Sequence, residues 1–428
     1  MLLAMSGKTD ADPFAVRTMT SGGEEIAFAD PYVSDEQRAA AGRETVAERM
    51  RALLPANRRR AAAAYAAGVL PDGQEALRVW CPRNADGLRE RLGASRYVVW
   101  AEDDILHVLW RGTAEQVALG GGVQVPMWPV EGADTEPAGT GDGLWEASLR
   151  VRRLDEAVIT VMVIGLGAAD LPFGRPVTDI MTWRGPRAPA ERADADWPLA
   201  GEVRTHTIDS APLRGPREVT VYVPPGAAGA PGPLPGCVLA DGESVPGFAR
   251  VLEPAIASGA APPVVLVGVH NGGGHADRSD LRAQEYLPRH RPRRFAAHLS
   301  FVIDEVMPWA AGSLPVDPPG PSRRWLAGGF SNGAAWAIAA AQRRPEVFGG
   351  VAALSAGVVP RRVAAASRDV RHYLAAGTLE EGFRRSTLDW ATRLRRAGVP
   401  CSHHEWPGGH DPFWWNQTLP DALAWLLA

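Results

Sequence analysis

Gly329-Phe330-Ser331-Asn332-Gly333 fits the pattern G-x-S-x-G, in which a serine on a tight turn serves as a nucleophile. A serine hydroxyl attacks a carbonyl only when a base takes its proton. The sequence must therefore supply a base and an acid to orient it. Glu380, in "RHYLAAGTLEE", and His410, in "EWPGGHDPFWW", follow Ser331 in the order nucleophile, acid, base. The interval between them is that of one strand–helix–strand crossover, which lets both lie side by side at one sheet edge. Glu381 and Asp411 are adjacent alternatives for the acid. His403 and His404 fall inside the strand candidate "CSHHEW" and are read as structural. His270, His275 and Asp277, in "VGVHNGGGHADRSD", lack the fixed spacing of a metal site and are read as a loop at the site's rim. Neither a metal nor a cofactor is expected.

A nucleophile reading requires a strand before the serine and a helix after it. "RRWLAGG" and "NGAAWAIAAAQRRPEVF" meet that requirement. The turn then puts the Asn332 N–H at the positive end of a helix, where an oxyanion is stabilised. A second backbone donor is expected after the early strand in "VLADGESV", from Gly242 or Glu243, with Asp241 organising the turn. Strand candidates alternate with helical segments through residues 201–428. Phe295, Leu299, Val302 and Val306 form one helix face. This alternation predicts a mostly parallel sheet covered on both faces, the α/β-hydrolase arrangement.

Residues 73–185 have a different texture. Short β-branched and aromatic runs ("LRVWCP", "RYVVWAE", "ILHVLWRG", "VQVPMWPV", "LWEASLRV", "AVITVMVIG") predict an immunoglobulin-like β-sandwich. "EGADTEPAGTGDG" reads as a hairpin tip. Residues 186–200 sit within the linker-like segment "TWRGPRAPAERADADWPLAG", and residues 1–72 read as a helical or partly disordered extension. A net charge of −4 gives no reason to expect nucleic acid or an anionic membrane as partner. No apolar run has the length of a membrane span, and "MLLAMSGKTDADPF" lacks a basic n-region. Three scattered cysteines argue against a disulfide framework. The expected setting is cytoplasmic, with a small-molecule ester or lactone as partner. The oligomeric state is not legible.

Together "LADGE", Arg282-Ala-Gln-Glu285-Tyr-Leu-Pro288, the serine turn, "AAGTLEE" and "GGHDPFWW" resemble the enterochelin (enterobactin) esterase family, as do "VLWRG" and "GLWEASLRV" in the sandwich. The resemblance covers residues 76–428. It implies serine-dependent hydrolysis of ester bonds, in that family those of catecholate siderophores. The chain departs from the family at Phe330 and at Asn332-Gly333-Ala334, where Gln or His precedes the serine and Phe-Gly-Gly follows it. Those departures bear on the substrate. Phe330, Arg282, Trp414 and Trp415 are the expected substrate contacts, one indole stacking on an aromatic acyl group and the other packing with Trp425. "RHRPRR" reads as a solvated charge run or an attractor of anionic substrate. Two other classes use the same scaffold: an acyltransferase or cyclase, and a binding protein without catalysis.

Overall fold

The structure is a computed structural model. It describes all residues except 1–11, 22, 31, 133–142, 171–176, 193–196, 274–278 and 321–324. The expected hairpin tip, His275 and Asp277 therefore lie outside the described residues. The chain divides into two compact units. One is Ala190–Trp406 with Pro412–Ala428, and the other runs to Pro189 and takes in Pro407–Asp411.

The larger unit is built on an eight-stranded sheet: β1 (Glu202–Ser210), β2 (Gly215–Val223), β3 (Gly236–Ala240), β4 (Val265–Val269), β5 (Trp325–Phe330), β6 (Phe348–Leu354), β7 (Arg371–Gly377) and β8 (Cys401–Trp406). Their spatial order is β1-β2-β4-β3-β5-β6-β7-β8. β1, β2 and β4 pair antiparallel, and every pairing from β4 to β8 is parallel. β3 and β4 are buried along their whole length, which is why they read as unbroken apolar runs rather than alternating ones. β1 is the opposite case. Its alternating polar sequence, EVRTHTIDS, suits an outer strand paired on one side only.

Crossovers cover the sheet with helices α1 (Val245–Ala257), α2 (Ser279–Tyr286), α3 (Pro292–Ser300), α4 (Asn332–Arg343), α5 (Glu381–Arg396) and α6 (Pro412–Leu427). The predicted apolar face beyond Pro292 is real: Phe295, Leu299, Val302 and Val306 are all buried. The helix widens to a π-type turn over Phe301–Val306 before continuing through Met307–Ser313. α4 is buried from Gly333 to Ala341, so its alanines let it lie close on the strands.

Two histidines in this unit, His298 and His372, are fully buried, and among the described residues no hydrogen-bond partner reaches either ring. Burial lowers their pKa from 6.5 to about 4 and about 3 respectively. A histidine with a depressed folded pKa leaves stability intact above the unfolded value of 6.5. Stability is then lost as pH falls from 6.5 toward these folded values, by at most about 1.4 kcal/mol per pH unit for each ring. Urea denaturation at pH 7.0, 5.5 and 4.5 should show this decline. His372→Leu, which places an apolar group beside Trp390, should flatten it. An unchanged slope in that variant would contradict the assignment.

Among the described residues, the sandwich part of the N-terminal unit holds two antiparallel sheets. One has the order Ala76–Arg78, Gly143–Val151, Ile105–Gly112, Tyr97–Glu102, with Trp128–Pro129 also paired to Gly143–Val151. The other has the order Asp179–Arg184, Val158–Leu166, Gln116–Gly121. Leu106, Val108, Val161 and Val163 are among its buried residues. "VQVPMWPV" is a strand only at Trp128–Pro129, and the longer strand is Gln116–Gly121 before it. Pro126 and Pro129 have no N–H to give a ladder, which confines pairing there to short stretches. The linker-like segment likewise begins inside a strand, since Thr182–Arg184 pairs with Val158–Thr160.

Ahead of the sandwich, a hairpin (Arg17–Ser21 and Glu24–Phe28) precedes helices Asp35–Ala40 and Val46–Ala67. Capping boxes at Ser34/Gln37 and Thr45/Glu48 start the helices. Asn57 brackets Glu25 by accepting from its N–H and donating to its carbonyl. No described helix is long and apolar enough to cross a membrane.

Candidate active site

Ser331 directly follows β5 and caps α4, with φ 56° and ψ −122°. A residue bearing a Cβ holds such a conformation at a cost of about 1–3 kcal/mol, so its surroundings must impose it. They do so by close approach. A Cβ on Gly329 would sit 2.8 Å from the Gly333 carbonyl carbon, and one on Gly333 would sit 2.9 Å from the Ala240 Cβ. Both glycines of the pattern are thus required by the packing of α4's first turn on β5 and β3. Ser331 N–H donates to the Leu354 carbonyl at 2.9 Å, tying the turn to β6.

Among the described residues, six non-glycine positions have positive φ: Asp103, Arg153, Arg214, Asp241, Ser331 and Ser355. The last three each follow a strand of the parallel sheet, at the carboxyl ends of β3, β5 and β6. Backbone strain is concentrated where the sheet presents its loops, the region in which open α/β sheets bind ligands.

Two sets of backbone N–H groups at this edge have no use in regular structure. Asn332 begins α4, and the first N–H groups of a helix have no carbonyl one turn back. After β3, the single turn Gly242–Ser244 is closed by Ser244 N–H to the Asp241 carbonyl and Val245 N–H to the Gly242 carbonyl. That bonding leaves the Gly242 and Glu243 N–H groups outside the turn. Asp241 does organise this turn. Its buried carboxylate takes a bidentate pair from Arg282, Nε to Oδ1 and Nη2 to Oδ2, both at 2.6 Å. Its N–H donates to the Tyr286 hydroxyl at 2.9 Å. Burial works against the Arg282 charge, but the Asp241 carboxylate outweighs it and holds the guanidinium above its usual range. Burial, then Asp241, pushes the Tyr286 phenol well up.

A further residue of the Arg282–Pro288 motif is also engaged within the fold. Glu285, fully buried, accepts from Gly272 N–H, Arg217 and Arg294. Arg294 of the basic run is therefore engaged with Glu285. His270 Nε2 lies 2.8 Å from Thr220 Oγ1. Among the described residues, no group of three or more His, Cys, Asp or Glu is placed to hold a metal.

The three carboxylates proposed for the acid differ sharply. Glu381 is exposed and pairs with Arg385 one turn along α5. Asp411 belongs to the N-terminal unit, where Thr160 N–H and Oγ1–H donate to its two oxygens at 2.5 and 3.0 Å. Glu380 is buried just after β7. Its Oε1 accepts from Gly377 N–H at 2.6 Å and from Ser355 Oγ–H at 2.5 Å. His410 is carried by Pro407–Asp411, the loop linking β8 to α6. His403 and His404 lie within β8, and His404 stacks on Tyr373 with centroids 4.6 Å apart.

The expected substrate contacts are partly brought together. Phe330 stacks on Trp415 with centroids 4.2 Å apart and planes 11° from parallel. The Arg282 guanidinium carbon lies 6.0 Å from the Phe330 centroid. Trp414 lies parallel to Trp406 at 6.0 Å and edge-on to Phe413. Tyr373 and Arg371 flank the Trp425 ring, with which one indole was expected to pack. Both Trp414 and Trp415 are buried. Ser355, which sequence reasoning did not single out, joins Glu380 to Trp415 by accepting from its Nε1–H at 2.9 Å.

No curated protein matches the chain in a sequence comparison. Among solved structures, the enterobactin esterase FES from Shigella flexneri, crystallised in the presence of enterobactin, is 18% identical with a TM-score of 0.56. The match covers 80% of this chain and 99% of that one. The ferric enterobactin esterase from Salmonella typhimurium is 16% identical with a TM-score of 0.56, over 80% of this chain and 98% of that one. These likenesses establish a common fold. The Esterase family model, described as "Putative esterase", matches residues 210–426, about half of the chain and the whole of the parallel sheet with its loops. The chain thus belongs to this esterase family, a carboxylic ester hydrolase with an α/β-hydrolase domain.

Proposed function

We propose that the protein is a serine esterase using Ser331 as nucleophile, His410 as base and Glu380 as the acid that orients the imidazole. The strained turn at Ser331, between β5 and α4, is the observation that carries this reading. Ser331 Oγ attacks the ester carbonyl while His410 takes its proton. Asn332 N–H, with Gly242 or Glu243 N–H, donates to the carbonyl oxygen as negative charge develops on it. His410 then returns the proton to the departing alkoxide, leaving an acyl-Ser331 ester. Water attacks that ester by the same proton path in reverse, releasing the acid and restoring the serine. Glu380 keeps the imidazole in the tautomer that can accept from Ser331 and offsets the imidazolium charge.

The substrate class we propose is an aromatic ester or lactone, including the catecholate siderophore esters. The enterobactin esterases of similar fold were crystallised with enterobactin and with 2,3-dihydroxy-N-benzoyl-serine. The Phe330–Trp415 stack beside the nucleophile supports an aromatic acyl group here too. Mass-spectrometric screening of the purified protein against enterobactin, linear catecholate esters, feruloyl sugars and simple lactones tests this reading. Turnover confined to aliphatic esters would contradict the aromatic class. A competing alcohol in the same assay separates hydrolysis from acyl transfer, because a transferase yields mainly the new ester even in water.

A further inference from the structure

Ser355 has three properties that are costly unless used. It is fully buried, it carries a polar side chain, and it holds φ 58° without being glycine. Its backbone is pinned at the end of β6 by N–H donation to the Ala375 carbonyl at 2.7 Å. Its hydroxyl meets Glu380 Oε1 at 2.5 Å and Trp415 Nε1 at 2.9 Å. The chemistry of these partners fixes the direction of both bonds. An indole nitrogen only donates, and an ionised carboxylate only accepts. The single hydroxyl proton must therefore point at Glu380, with an oxygen lone pair receiving the Trp415 N–H. Trp415 donates to Ser355, and Ser355 donates to Glu380. Bonds aligned head to tail polarise one another, which strengthens the hold on the final acceptor.

We propose that Ser355 is a positioning residue for the hydrolysis, holding Glu380 through its hydroxyl and tying that carboxylate to the Trp415 ring stacked on Phe330 beside the nucleophile. The proposal rests on the assignment of Glu380 as the triad acid. Gly377 N–H and Ser355 Oγ–H both bind Oε1, so that oxygen is fixed from two sides and the carboxylate cannot rotate about its own axis. Phe330 and Trp415 lie ring on ring, so the indole that supports the acid is also the backing of the residue next to Ser331. One buried hydroxyl thereby sets the acid's orientation relative to the acyl side of the site.

The test is a double-mutant cycle on the full chain, with p-nitrophenyl acetate as the probe. Ser355→Gly suits the positive φ and removes the hydroxyl together with its Cβ. It should lower kcat about 10- to 100-fold, the effect of losing one hydrogen bond to a charged group. KM should change less than about threefold, since the acid acts on the transition state. Trp415→Phe keeps a ring on Phe330 and removes the N–H, and should give a smaller loss in the same direction. Glu380→Ala should lower kcat roughly 10³- to 10⁴-fold. In the Glu380→Ala background, neither Ser355→Gly nor Trp415→Phe should change kcat by more than about twofold, because coupled residues are not additive. Full additivity there, or a loss carried by KM, would overturn the positioning role while leaving the triad intact. Undiminished kcat in Glu380→Ala alone would overturn the triad acid and this proposal with it. Should Ser355→Gly fail to fold, the Trp415→Phe arm decides the matter by the same criteria.

Discussion

Ser331→Ala is expected to reduce kcat roughly 10⁴- to 10⁶-fold, because without the hydroxyl no acyl intermediate forms and only binding and the oxyanion donors remain. Its stability should be nearly that of the wild type. Both residues carry a Cβ and bear the same strain at φ 56°. Ser331→Gly makes the complementary point. It should be equally inactive but more stable by about 1 kcal/mol, because glycine occupies positive φ without steric cost. Thermal melts and steady-state kinetics on the two variants separate the effects. If Ser331→Gly were less stable than Ser331→Ala, the turn would not be strained, and the physical reason for placing the nucleophile there would go.

The second large effect concerns Arg282. Its guanidinium is committed to Asp241 by two 2.6 Å bonds, and Asp241 is only 2% exposed. Arg282→Met keeps much of the side chain's bulk but leaves that carboxylate, among the described residues, with only a long 3.4 Å side-chain contact from Asn271. Removing one member of a buried pair strands the other, at a cost of about 3–5 kcal/mol. The turn carrying Gly242 and Glu243 should loosen at the same time, so the variant should lose both stability and kcat. Asp241→Asn with Arg282→Met removes the stranded charge and should recover part of the stability. A single variant that unfolds at the wild-type urea midpoint would show that Arg282 is not needed to hold the loop.

The contrast between Ser331 and Arg282 illustrates what the sequence discloses. The nucleophile's turn is a local event, written in five consecutive residues with a strand before and a helix after. Gly329 and Gly333 are glycines because the backbone of α4 and the Ala240 side chain leave no room for more. Arg282 and Asp241 are 41 positions apart, and nothing in either neighbourhood announces that they meet. The same holds for Ser355, Glu380 and Trp415, which lie after β6, after β7 and within α6, and converge only once the sheet order is formed. Trp415 was legible as an aromatic near the site, but not as a hydrogen-bond donor with its ring face against Phe330. Among the elements, the buried strands β3 to β7 were visible as apolar runs. The outer strand Glu202–Ser210 and the hairpin Arg17–Phe28 were not, because half-exposed strands carry polar sequences that read as loop. The shift from Val123–Val130 to Gln116–Gly121 in the sandwich has a similar origin: the more apolar run contains two prolines that cannot enter a ladder.

The central claim is that Ser331 is the residue that forms a bond to the acyl group. Reaction of the full chain with a fluorophosphonate probe, followed by intact-mass measurement and peptide mapping, tests it most directly. The account predicts a single adduct on Ser331 in the wild type, none in Ser331→Ala, and strongly slowed labelling in His410→Ala. An adduct on any other serine, or labelling that persists in Ser331→Ala, would contradict it.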